Sequence, residues 1–192
     1  YATRAKGISA QTPYQFCAER WVTTSASERY DVGKFREMIL GKGYRDVWKV
    51  PIQVPVIDLE CTAGGLTPIQ RGGGLQTISL RLQGKDGKQY VLRSIDKDPR
   101  RTIPEYLQET VAHDIIQDQI SATNPYAAIV IPRLARAANV LHTYPTVTSI
   151  PDSPVLGMYR EEFAGMLTLM EDRPDEDQSD KARYGFSTNV IG

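Results

Sequence analysis

The chain has 192 residues, 41% of them hydrophobic and 24% charged, which is the balance of a folded domain with one ordinary core. That excludes a large multidomain enzyme and a disordered chain. Lysine plus arginine equals aspartate plus glutamate at 23 each, so no overall field draws the chain to nucleic acid or to an anionic lipid surface.

In chain order, residues 1–49 read as a helical arm. Tyr1 stands where a methionine would begin a gene product, so the numbered chain is expected to start inside a larger one. Thr12 and Pro13 form an N-cap and first-turn pair, with Tyr14, Cys17, Ala18 and Trp21 at helical spacing behind them. A second short helix runs over 31–40, with Phe35, Met38 and Ile39 as its apolar side and Gly41 as its stop. Cys17 and Cys61 lack metal-ligand spacing; they could pair in an oxidising compartment, but two separate buried thiols is the simpler expectation.

An α+β module is expected over 50–172. Val50, Ile52, Val54 and Val56 alternate with polar or proline positions, and Pro51 and Pro55 predict an edge strand because proline donates nothing to a ladder. Ile78, Leu80 and Leu82 alternate with Thr77, Ser79 and Arg81, a turn follows at 84–87, and the chain returns from Tyr90 to Ile95. That is a hairpin. Residues 102–120 predict the strongest helix, opened by Pro104 and Glu105. After Asn124 and Pro125 a further helical segment is broken by Pro132. Strands are expected over 146–150 and 165–170, with a short helix around Tyr159 and Phe163 between them. Six acids over 171–180 read as a solvated loop, so 173–192 is taken as an acidic linker and the start of a following segment. The longest apolar runs, such as 126–131, fall far short of the roughly 20 residues that a membrane-spanning helix needs.

The residues that carry chemistry lie at the glycine run. Gly72, Gly73 and Gly74, just before Thr77 and the hairpin, let backbone amides approach an anion closely, and phosphate is the natural guest. No helix opens after these glycines and no Lys-Ser or Lys-Thr pair follows, so the dinucleotide and P-loop fingerprints are absent. A plain bend or bulge explains a glycine run equally well. The order strand, glycine turn, strand, turn, strand, helix is that of a kinase amino-terminal lobe. A lobe of that kind needs a cation on its third strand, and Arg93 and Lys97 are the candidates; a lone strand arginine is otherwise a snorkelling surface residue. Helical phase places Asp118 within the apolar stripe of the following helix and His113 on its solvated side. Asp118 therefore needs a partner: Arg93 or Lys97 in the kinase-like arrangement, or a capping bond near Asn124. His113 and His142 are the only histidines and have no second ligand spaced for a metal.

Three stretches, 65–74, 90–98 and 117–122, resemble the middle region of Bacteroidota-type multidomain envelope proteins, between a metallophosphoesterase domain and an outer-membrane surface-antigen barrel. Related bacterial sequences resemble atypical kinases further along, at an Asp-Arg-His motif. The resemblance implies a periplasmic or outer-membrane location, with flanking domains or envelope proteins as partners. It places the phosphoesterase activity in a different segment. Arg93 would stand where kinases carry lysine, and no His-Arg-Asp, Asp-Phe-Gly or Asp-Arg-His occurs in the chain. The expectation is a catalytically incomplete, kinase-lobe-like module that binds phosphate or a nucleotide through Gly72, Gly73, Gly74, Thr77, Arg93 and Lys97. The alternative is a structural or interaction domain that positions its neighbours.

Overall fold

The computed structural model describes residues 14–74 and 76–173. Seven strands form one sheet: β1 (Arg20–Thr24), β2 (Ile52–Val56), β3 (Leu66–Gly72), β4 (Ser79–Gly84), β5 (Gln89–Ser94), β6 (Thr146–Ser149) and β7 (Leu167–Arg173). Their spatial order is β1-β2-β6-β7-β5-β4-β3, antiparallel throughout except where β2 meets β6. Helices α1 (Lys34–Leu40), α2 (Arg45–Lys49), α3 (Val111–Gln119), α4 (Ile131–Ala137) and α5 (Arg160–Phe163) complete a mixed α+β architecture among the described residues.

The β4–β5 hairpin forms where the alternation places it. Leu80, Leu82, Tyr90 and Leu92 turn to one side and are buried, together with Met170 of β7 and Phe163 of α5. Gly84 N–H donates to Lys88 O at 2.9 Å, and the Asp86 carboxylate accepts from Lys88 N–H at 3.0 Å, which closes the turn. A second apolar cluster lies under the other end of the sheet, where Tyr30 and Trp48 pack edge to face with Val54, Ile95 and Leu167 around them.

Several expectations are corrected. The segment behind Tyr14 is extended and becomes strand β1 rather than a helix, because Val22, Thr23 and Thr24 are β-branched residues that find a ladder on β2. Thr12 and Pro13 lie outside the described residues. Since β1 occupies the edge, β2 is an inner strand; Pro55 sits opposite Trp21 and its carbonyl accepts from Thr148 Oγ1 at 2.9 Å. Cys17 and Cys61 are joined by a disulfide with a Cα separation of 5.8 Å, so they are not separate thiols. The long helix begins only at Val111, where Thr110 accepts from Ala112 N–H as the N-cap; the residues before it form short 3-10 turns at Pro99–Thr102 and Glu105–Leu107. Pro132 lies in the first turn of α4 and opens that helix, as proline's fixed φ and missing donor allow. Glu171, Asp172 and Arg173 belong to β7; the rest of the expected acidic loop, from 174 on, lies outside the described residues. Among the described residues no helix is long and apolar enough to cross a membrane.

Candidate functional site

The glycine run divides at the end of β3. Gly72 is still in the ladder, opposite Ser79, while Gly73 and Gly74 lie beyond it, and their amides take no backbone partner among the described residues. Gly73 has φ +129°, and a Cβ there would stand 2.3 Å from Thr77 O. The turn therefore requires glycine at that point. Gly74 faces open space. The loop that follows is tied to the end of β5 by Asp98 N–H donating to Gln76 O at 2.8 Å.

Gly74, Thr77 and Lys97 line one cleft of about 630 Å³. Its walls also carry Arg29, Arg71, Arg100 and Arg101, with Asp96, Asp98 and Glu162 as the acids. Two of the arginines are held by carboxylates: Arg71 Nε meets both oxygens of Glu162 at 2.8–2.9 Å, and Arg100 Nε lies 3.4 Å from Asp98. Asp96 accepts from Tyr30 Oη at 2.9 Å and from Lys97 N–H at 2.9 Å. Burial, and after it the charge of Asp96, pushes the Tyr30 phenol far above its usual range, so Tyr30 stays a donor. Among the described residues the side chains of Arg29, Lys97 and Arg101 have no ion-pair partner. The cleft thus holds an excess of uncommitted cations beside a glycine turn, an arrangement suited to an anion.

Arg93 does not join it. Ser94 lines the cleft, and successive strand residues point to opposite faces, so Arg93 is exposed on the other side of the sheet between Ser79 and Leu169. Gly72 and Gly73 do not line the cleft either; they shape the turn that presents Gly74 and Thr77.

Asp118 is ion-paired, but with different cations from those expected. Its partners are Arg45 of α2 and Arg36 of α1: Arg45 Nη1 donates to Oδ1 at 3.0 Å and Nη2 to Oδ2, while Arg36 Nε lies 3.4 Å away. Asp118 and Arg45 are both buried, so the fork binds α3 to the helical connection between β1 and β2 and aims no cation at the cleft. The residue beside it is Gln117, whose Nε2 donates to Tyr30 Oη at 2.8 Å and to Lys97 O at 2.9 Å. His113 is likewise corrected: its side chain is 16% exposed and turns inward, with Nδ1 3.5 Å from Asp114.

Sequence reasoning missed Arg29, Arg100, Arg101 and Gln117. The turn Asp98-Pro99-Arg100-Arg101, an N-cap followed by proline and two cations, was a local signal for the second and third. For Arg29 and Gln117 there was none, because strand β1 and the facing of α3 bring them to the site. Compared with known proteins, the chain matches no family model, no curated protein and no solved structure.

Proposed function

We propose that the protein is a phosphate-binding module whose ligand sits in the cleft beneath the glycine turn. The observation that carries this is the meeting of Gly74, Thr77 and Lys97 with the uncommitted Arg29 and Arg101 on one concave surface. Unpaired cations, a hydroxyl and open backbone amides are the groups that bind phosphate oxygens in a nest. A nucleotide is one carrier of such a phosphate. The element order of a kinase amino-terminal lobe runs through β3, β4, β5 and α3, but the cation and carboxylate of that lobe are not paired here, so the reading is binding without phosphoryl transfer. The Cys17–Cys61 disulfide supports an oxidising location such as the periplasm, in keeping with a module of an envelope protein flanked by other domains.

The test is ligand-induced stabilisation of the whole chain. Inorganic phosphate, pyrophosphate or a nucleotide at 100 times its dissociation constant raises stability by about 2.7 kcal/mol. Lys97→Gln and Arg101→Gln should each remove most of that shift while leaving the ligand-free melting temperature in place. No shift with any of these ligands overturns the reading. A second reading, an interaction domain, is favoured by a specific observation: Phe35, Met38 and Ile39 of α1 and Val111 of α3 are exposed on helices that touch each other. Pull-down by a flanking domain, lost on Phe35→Ser with Met38→Ser, tests it independently.

A further inference from the structure

The neutral net charge conceals an uneven distribution. From 119 through 151 the sequence contains no aspartate and no glutamate, while Arg133 and Arg136 stand in the middle of that stretch. Both belong to helix α4, which follows the 3-10 turn Ala127–Ile129.

A surface helix ordinarily turns its apolar side to the core. Helix α4 does the reverse. Advancing about 100° per residue, Ile131, Leu134, Ala135 and Ala138 share one arc, and Arg133 and Arg136 lie outside it. The helix buries Pro132 instead, whereas Ile131 is 53% and Leu134 61% exposed. Its flanks extend the same surface, since Val130 before it and Val140 and Leu141 after it are exposed as well. The chain turns at Asn139, with φ +53°, and Val140 N–H donates to Ala135 O at 2.8 Å, which keeps Val140 and Leu141 beside the end of the helix. Arg136 Nη2 donates to Tyr144 Oη at 3.2 Å, and its guanidinium lies 5.7 Å from the ring centroid. Arg133 is exposed and has no ion-pair partner among the described residues.

An apolar patch of this kind calls for a cover, and the charges beside it select which one. A second copy would bring Arg133 and Arg136 against a face that holds no acid to receive them. The complementary cover is apolar within and anionic at its rim, which is the cross-section of an anionic lipid leaflet, acyl chains beneath phosphate headgroups. Exposed aliphatic side chains with arginine and tyrosine at the margin are the composition of a helix that lies in such an interface.

We infer that α4 and its flanks form a membrane-docking surface that lies on an anionic leaflet. Val130, Ile131, Leu134, Val140 and Leu141 enter the boundary between headgroups and acyl chains, and Arg133 and Arg136 draw the face to lipid phosphates through their long side chains. A helix of seven residues rests on the leaflet and does not span it.

Co-sedimentation of the full chain with vesicles tests this. Vesicles of phosphatidylcholine and phosphatidylglycerol in equal parts should carry the chain down, more weakly at high salt, and vesicles of phosphatidylcholine alone should carry much less. Ile131→Ser with Leu134→Ser should abolish sedimentation at an unaltered melting temperature; if that pair unfolds, Val140→Ser with Leu141→Ser decides. Arg133→Gln should weaken binding to the anionic vesicles about fivefold. Lys97→Gln with Arg101→Gln, which strips cations from the cleft, should leave vesicle binding in place. Absence of binding to anionic vesicles, equal binding to both kinds, or binding that survives the apolar changes and depends on the cleft cations overturns the inference. So does a dimer in sedimentation velocity that dissociates on the same apolar changes, because a second copy would then be the cover.

Discussion

The β4–β5 hairpin and helix α3 solve the problem of burial in opposite ways. In the hairpin the inward residues are Leu80, Leu82, Tyr90 and Leu92, each fully buried, and Arg81 and Arg93 point away. In α3 the inward residues are Gln117 and Asp118, while Val111 is 72% exposed and Ile115 and Ile116 also face outward. A strand has only two faces and one was already claimed by the core. A helix can rotate about its axis, and here the buried fork between Asp118 and Arg45, with the Gln117 amide on Tyr30 and Lys97, fixes that rotation. Polar pairing, not the apolar stripe, decides what α3 shows to solvent. The same rotation brings His113 and Gln117 into the wall of a pocket of about 300 Å³ that they share with Arg29, Arg36 and Arg100.

The largest expected effect breaks the polar side of this contrast. Asp118→Ala leaves Arg45 buried without its partner and should destabilise the protein by about 3–5 kcal/mol, read from urea unfolding. A loss below about 1 kcal/mol would show that the fork does not hold the helix. Next comes the covalent tie on the sheet side. Cys17→Ser with Cys61→Ser should cost about 2–4 kcal/mol, because the bond closes 44 residues of chain and holds the Tyr14 segment on the hairpin core. An unchanged midpoint in oxidised and reduced samples would show that the segment docks without it.

Alkaline pH sharpens the comparison through one tyrosine held against each region, Tyr14 on Tyr90 of the hairpin and Tyr30 on Gln117 of α3. Burial pushes Tyr14 from 10.0 up to about 12, and burial with the Asp96 charge raises Tyr30 further. A phenol that holds its proton more tightly in the folded state contributes stability in full below its unfolded value. That stability is lost as pH rises through the folded value, for Tyr14 between 10.0 and about 12. Absorbance titration of tyrosinate should show these two phenols ionising late, together with Tyr126, which burial also raises; if all tyrosines titrate together near the unfolded value, both packings are wrong. The smallest effect is on the exposed apolar face: Val111→Ser should change stability by no more than about 0.5 kcal/mol, and a larger loss by thermal unfolding would mean that this face is covered.

These differences explain what could be read from residues alone. Strands β4, β5, β6 and β7 were legible because a period of two leaves little choice of face, and the glycine turn because three consecutive glycines stand before the hairpin; that Gly73 must accommodate Thr77 O appears only in the fold. Strand β1 was not, since Tyr14, Cys17 and Trp21 happen to fall at helical spacing while the deciding contact is a ladder with residues 52–56. Within the candidate site Gly74, Thr77 and Lys97 were found because they flank one hairpin. The partner of Asp118 was missed because Arg45 lies 73 positions away on an arm read only as helical, and nothing in its own segment marks it as buried. Arg93 was misplaced by taking its phase from Val91 and Ile95, whereas the cleft takes Ser94.

The junction of β2 with β6 has a kinetic side. These strands meet at a single register pair, Val56 with Ser149, and the hydrogen bond from Thr148 to the Pro55 carbonyl spans 93 residues. Contacts of such sequence separation form only after most of the chain entropy between them has been given up, whereas the β4–β5 turn closes locally. The β1–β2 ribbon is therefore expected to join last in refolding and to part first in native-state opening. Amide exchange should proceed through it as a unit, well before the amides of β4 and β5 respond.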